Sequence, residues 1–175
     1  MRKLLFVLGA SGAIAIATAL PAAAATTGST PTTFTVNSGL LSITVPATAN
    51  LGSGAPGTTI GPTAFGTVTV TDNRALLVAT WTATVSSTAF LTGGGTAAET
   101  IPAADATYTT GVPTTTGVLV ATPTPTVTLS STAKTVVSGA GVGDNSAAWD
   151  PTIAIAVPAA AVAGLYSGTI THSVS

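Results

Sequence analysis

The chain has no cysteine, very little charge and few aromatic rings. Without thiols there is no disulfide framework, no thiolate metal site and no cysteine nucleophile. Four Lys and Arg stand against five Asp and Glu, which leaves too few cations to neutralise a phosphate backbone and argues against nucleic acid as a partner. His172 is the sole histidine and has no thiolate beside it, so a zinc or copper site is not expected and no cofactor is implied. No G-x-S-x-G motif raises the case for a hydrolytic triad around His172. Gly93-Gly94-Gly95 is not followed by the Lys and Ser/Thr of a phosphate-binding loop. Helical periodicity is also missing. Only Pro158–Ala163, closed by Gly164, suits a helix, and it is too short for more than a turn or two.

What remains is 46% hydrophobic, with 19 Gly and 11 Pro. About a fifth of the residues are threonine, far from average usage. Residues 1–25 open with Arg2 and Lys3, continue as an apolar run from Leu4 to Leu20, and close on Ala22 to Ala25. That is the pattern of a cleavable export signal, with cleavage expected after Ala24 or Ala25. Its removal leaves Arg74 and Lys134 as the only Lys or Arg against five acids. No second hydrophobic span follows, so no transmembrane span is expected in the mature chain, which is expected to be secreted or held at the cell surface. Residues 26–33, rich in Thr, Ser and Pro, read as a flexible lead-in. Residues 34–175 read as one domain, large enough to fold without staples.

Period-two alternation runs through that domain and predicts an all-β, Ig-like antiparallel sandwich of about eight to ten short strands. Expected strands include 34–36, 40–45, 67–71, 79–86, 106–109, 117–121, 126–129, 134–138, 152–157 and 165–174. In the fourth, Ala79, Trp81, Ala83 and Val85 face the core while Thr80, Thr82, Thr84 and Ser86 face water. Loops are expected at Ala49 to Gly66, Thr92 to Glu99, Pro113 to Gly117 and Gly139 to Asn145, where Gly, Pro, Asn and Asp gather. The Thr/Pro-rich stretch Pro113 to Pro125 also has the composition of an O-glycosylated patch.

The residues able to carry chemistry are few. Asp72, Glu99, Asp105, Asp144 and Asp150 sit in or beside expected turns, where acids satisfy backbone N–H groups. Paired carboxylates for glycoside cleavage would need a ring-lined cleft that these few aromatics do not suggest. Gly143-Asp144-Asn145-Ser146 offers oxygen ligands of the kind calcium prefers, but without the spacing of an EF-hand; a self-bonded turn is the simpler reading. Asp72 and Arg74 are expected to form a structural ion pair that closes a turn. His172 falls on the apolar face of the last strand and reads as a hydrogen-bonded core histidine. Trp81 is expected to point inward, and Trp149, beside Asp150-Pro151, to be only partly buried with its indole N–H needing a partner.

Several segments together resemble WxL-type cell-surface domains. They are Val70-Thr71-Asp72-Asn73-Arg74, Ala79 to Val85 around Trp81, Ala89-Phe90, Thr100-Ile101-Pro102, Ala106 to Thr109, Asn145 to Pro151 around Trp149, Val157-Pro158, and Ala163 to Val174 around Tyr166 and His172. The resemblance spans about residues 65–175 and is nearest to diverged, actinobacterial-looking members. It implies a secreted Ig-like sandwich that attaches non-covalently to the Gram-positive wall through peptidoglycan or another wall polymer, or to other surface proteins, without catalysis. The family's Trp-x-Leu motifs are incomplete: Trp81-Thr82-Ala83 lacks the Leu, and Thr171-His172-Ser173 lacks the Trp. The expected contact residues are Trp81, Trp149, Tyr166 and His172. The alternative is a structural subunit of a surface assembly, built by adding a strand to a neighbour's sheet edge.

Overall fold

The computed structural model describes residues 27–175. The expected export signal therefore lies outside the described residues. Contacts divide the chain at Thr35/Val36. Residues 27–35 contain no strand or helix and are exposed. From Val36 onward the protein is an antiparallel β-sandwich with twelve strands.

These are β1 (Leu41–Thr44), β2 (Thr59–Ala64), β3 (Val68–Asp72), β4 (Ala79–Ser87), β5 (Phe90–Leu91), β6 (Thr100–Ile101), β7 (Ala106–Thr109), β8 (Thr114–Pro123), β9 (Thr126–Thr128), β10 (Lys134–Trp149), β11 (Thr152–Ala156) and β12 (Ile170–Val174). Single 3-10 turns at Ala97–Glu99 and Ala103–Asp105 complete the regular structure. Sheet 1 runs β1-β3-β10-β4-β12, with β8 also on β10; sheet 2 runs β2-β11-β7-β9; β5 and β6 form a small ribbon.

β10 organises sheet 1. On one edge it pairs with β8 along nearly its whole length. Its other edge is shared: Lys134 to Gly141 pair with β4, and Asn145 to Trp149 pair with β3. β3 and β4 are thus one interrupted line, broken by an excursion at 73–78. The break faces a bend in β10, where four steps from Val142 to Ser146 match two on β8 and Gly143 takes φ +63°. A left-handed residue with no Cβ penalty is what such a bulge needs. The bend carries the two half-sheets toward each other, so that β1 approaches β12.

Alternation places the core. Val68 and Val70 of β3, Trp81, Ala83 and Val85 of β4, and Ala147 and Trp149 of β10 turn inward from sheet 1. Ala106, Tyr108, Ile153 and Ile155 meet them from sheet 2. A bulge between Thr135 and Val137 puts Val136 and Val137 both inside. After Trp149, the turn at Asp150-Pro151 sends the chain across to sheet 2 as β11.

Five local expectations are corrected. Ala49 to Gly66 is not all loop, because Thr59–Ala64 forms β2 on β11. Gly139 to Asn145 is not a loop but the middle of β10, and Pro113 to Gly117 lies mostly in β8. Phe34 to Val36 pairs with nothing among the described residues. The last strand begins at Ile170 rather than Leu165, because residues 163–169 are irregular and touch a strand only through the Leu91–Ser167 bridge.

Candidate functional site

Four places concentrate the distinctive chemistry, and the first lies inside the sandwich. Tyr108 comes from β7, Trp149 from the end of β10 and His172 from β12, and all three are buried. Trp149 Nε1 donates to Tyr108 Oη at 3.0 Å, and Tyr108 Oη lies 3.1 Å from His172 Nε2. An indole N–H can only donate, so the tyrosine oxygen accepts from Trp149, while the direction of its bond to His172 Nε2 is set by the imidazole tautomer. His172 Nδ1 is buried without a partner. Burial pushes the His172 pKa down to about 4 and raises that of Tyr108, the Trp149 hydrogen bond opposing the latter. The Phe65 ring lies against the imidazole, 5.5 Å between centroids. Three polar groups deep in the core are thus joined in one chain, which ties sheet 1 to sheet 2.

The second place is the elbow where the β3–β4 line breaks. Asp72 is fully buried, and its Oδ1 accepts from Arg74 N at 3.1 Å and Nε at 2.9 Å. Oδ2 accepts from Arg74 Nη2 at 2.8 Å, and the same nitrogen donates to the Thr80 carbonyl at 2.8 Å. The side-chain hydrogen bonds from Arg74 hold the Asp72 carboxyl below the usual carboxylate range against its desolvation, and the pair raises Arg74 in turn. The expected turn-closing pair is present. The elbow is also clipped to the bend in β10. Ala75 N donates to Asp144 Oδ1 at 3.1 Å, and Gly143 N to the Leu76 carbonyl at 2.7 Å. Trp81 Nε1 donates to Asn145 Oδ1 at 3.3 Å, and Asn145 Nδ2 to the Gly143 carbonyl at 2.9 Å. Asp144 and Asn145 are spent on this clip. Among the described residues, no group of three or more Asp, Glu or His is gathered to hold a metal ion.

The third place is the outer face of sheet 1. Thr122, Ser138 and Thr82 form one row across β8, β10 and β4; Val120, Ala140 and Thr80 form the next. Val118 and Val142 extend the face on one side, and Thr84, Ser86, Thr171 and Ser173 on the other. Val118 is 68% exposed and Val120 70% exposed. Among the described residues, no Lys, Arg, Asp or Glu occupies these rows; Arg74, which bonds the Thr80 carbonyl, and the Asp144 bend lie at the margin.

The fourth is a cavity of about 810 Å³. It opens between segments 46–54 and 161–170, and no charged side chain lines it. Tyr166, at its rim, directs its hydroxyl to the carbonyls of Val162, 2.9 Å away, and Ala98, 3.1 Å away.

The expected contact residues therefore separate. Trp81, 3% exposed, Trp149, 2% exposed, and His172, 8% exposed, are core residues with no surface to offer a polymer. The partial exposure expected of Trp149 is absent because its indole reaches Tyr108 rather than solvent. Only Tyr166 borders open space. Sequence reasoning assigned the polar face of β4 but missed its β8 and β10 neighbours, because both were read as partly loop. Among the described residues, no helix is long and apolar enough to cross a membrane. No family model matches the chain, and neither the curated proteins nor the solved structures provide a match.

Proposed function

We propose that the protein is a secreted, non-catalytic surface protein that associates non-covalently with the Gram-positive cell wall or with partner surface proteins. The observation that supports this reading best is the outer face of sheet 1. It is a pleated surface of Thr, Ser, Val and Ala with charge only at its margins. Wall glycan and peptide offer hydroxyls, amides and methyl groups, and a face of alternating hydroxyl and methyl groups complements those without ionic pairing. The export pattern of residues 1–25 and the resemblance to WxL-type domains support the same assignment. The buried tryptophans take the framework role in it, and the threonine rows the contact role.

The test is co-sedimentation of residues 26–175, which include every described residue, with purified Gram-positive peptidoglycan. Saturable pelleting is expected from the native chain. Val120→Asp places a charge in the middle of the exposed face without touching the core, and is expected to abolish pelleting while the circular dichroism spectrum stays native. Equal pelleting of native and Val120→Asp chains would overturn the assignment of this face. No pelleting of the native chain would overturn the wall as ligand.

A further inference from the structure

The cavity opens on the flank of the sandwich where sheet 1 ends at β12 and sheet 2 ends at β2. Its floor is the core itself: Phe90, Ile101 and Ile155 belong to the buried cluster, and Ile60 and Phe65 pack against it. One wall, segment 46–54, is backbone with few partners; the other, 161–170, is bonded at Ala161, Val162, Ser167 and Thr169 but open between them. Among the described residues, segment 46–54 uses only the Gly52 N–H and the Leu51 carbonyl in hydrogen bonds. Ala163, Gly164 and Leu165 on the opposite wall use none, and Leu165 is 88% exposed. An apolar floor between one largely unpaired wall and a second that is unpaired over Ala163 to Leu165 fits an extended peptide. Its backbone would pair with the walls, and every second side chain would drop to the floor. A compact apolar molecule would fill the floor and leave the walls unmatched.

The chain itself carries a segment of that kind. Thr32 to Ser38 alternates Phe34 and Val36 with Thr33, Thr35 and Asn37, and has no charge. Phe34 is 88% and Val36 73% exposed, and neither lies in a strand. The chain is first tied down just beyond, where Gly39 N donates to the Asn73 carbonyl. The residues from 27 to 38 extend to about 40 Å, far enough to reach a neighbouring molecule.

We propose that residues 32–38 of a second copy of this chain seat in the cavity as an added strand, with Phe34 and Val36 on its floor. This goes beyond wall association and does not depend on it. Donor and acceptor are different surfaces of one molecule, so the contact is head-to-tail and propagates into a filament or closes into a ring. With no charge on either side, assembly is insensitive to salt.

The absence of cysteine provides a clean cross-linking test. A chain carrying Thr35→Cys is mixed under oxidation with a chain carrying Leu165→Cys. Thr122→Cys, on the outer face of sheet 1, replaces the second partner as the control. The Leu165→Cys partner is expected to form mixed disulfide dimers about tenfold faster than the control, the advantage of a held pair over random collision. Light scattering of the native residues 26–175 is expected to show mass rising with concentration. A Phe34→Asp/Val36→Asp variant is expected to stay monomeric. Both positions are exposed, so its fold is expected to stay native by circular dichroism. Equal cross-linking rates, undiminished assembly of the double variant, or a native chain that stays monomeric up to about 1 mM would each overturn the proposal. Peptidoglycan pelleting by the double variant reports wall association separately, since the outer face of sheet 1 is untouched.

Discussion

Acidification from pH 7 to pH 5 is expected to weaken the fold through His172. Unfolded imidazole takes up its proton near the ordinary value of 6.5, whereas burial holds folded His172 neutral down to about 4. Between those values the unfolded state binds more protons, so the contribution is fully present above 6.5 and is lost as pH falls toward 4. The geometry gives the same sign. A protonated imidazole carries an N–H on both nitrogens, and the buried Nδ1 has no acceptor for its proton. The interval corresponds to about 3 kcal/mol in full, of which about 2 kcal/mol falls between pH 7 and pH 5. Asp72 and Glu99 are held below their ordinary values of 3.8 and 4.5, so their losses come at lower pH. Urea denaturation at pH 7, 6 and 5, followed by tryptophan fluorescence, measures the effect. A melting temperature lower by about 4–8 °C at pH 5 would accompany it. His172→Phe keeps a ring against Phe65 and Tyr108 but removes the titration. It is expected to be less stable at pH 7 and nearly flat from pH 7 to 5. A native chain of unchanged stability across that range, or a His172→Phe chain with the native slope, would refute the reasoning.

Arg74→Met leaves the Asp72 carboxylate buried without its cation and is expected to cost about 3 kcal/mol in urea denaturation; Asp72→Asn/Arg74→Met, which removes both charges, should cost less than the single change. Gly139→Ala drives a Cβ into the Trp81 ring, so overpacking is expected to lower stability by about 1–3 kcal/mol and to alter the Trp81 emission. Tyr108→Phe strands the Trp149 N–H and removes the partner of His172 Nε2, with an expected loss of about 1–3 kcal/mol, read by the same urea titration.

The strands were legible where alternation ran without interruption. β4 reads Ala79, Trp81, Ala83 and Val85 inward and buries all four, and β11 does the same with Ile153 and Ile155. β10 was illegible because its glycines imitate a loop. Gly139 is small because the Trp81 ring lies on it, Gly141 because the Val118 carbonyl comes close, and only Gly143 serves a bend. The opposite error arose at 165–169, where the pattern of Tyr166, Gly168 and Ile170 continued a strand that the fold does not build. Of the candidate sites, the Asp72–Arg74 pair was readable because its partners are two residues apart. The meeting of Tyr108, Trp149 and His172 was not. It joins three distant strands, and nothing local in the sequence specifies which buried donor finds which acceptor.

A further consequence follows from β10 acting as the shared rail of sheet 1. β3, β4 and β8 all precede it in the chain and all lean on it, while β3 and β4 do not pair with each other. During synthesis, then, roughly the first three-quarters of the protein contains sheet 1 strands with no completed sheet to join. Closing the long loops to residues 134–149 is entropically costly and slow. The nascent chain is expected to remain extended and protease-sensitive until Trp149 is available, then to acquire both half-sheets together. Such a chain stays threadable until its synthesis is nearly complete.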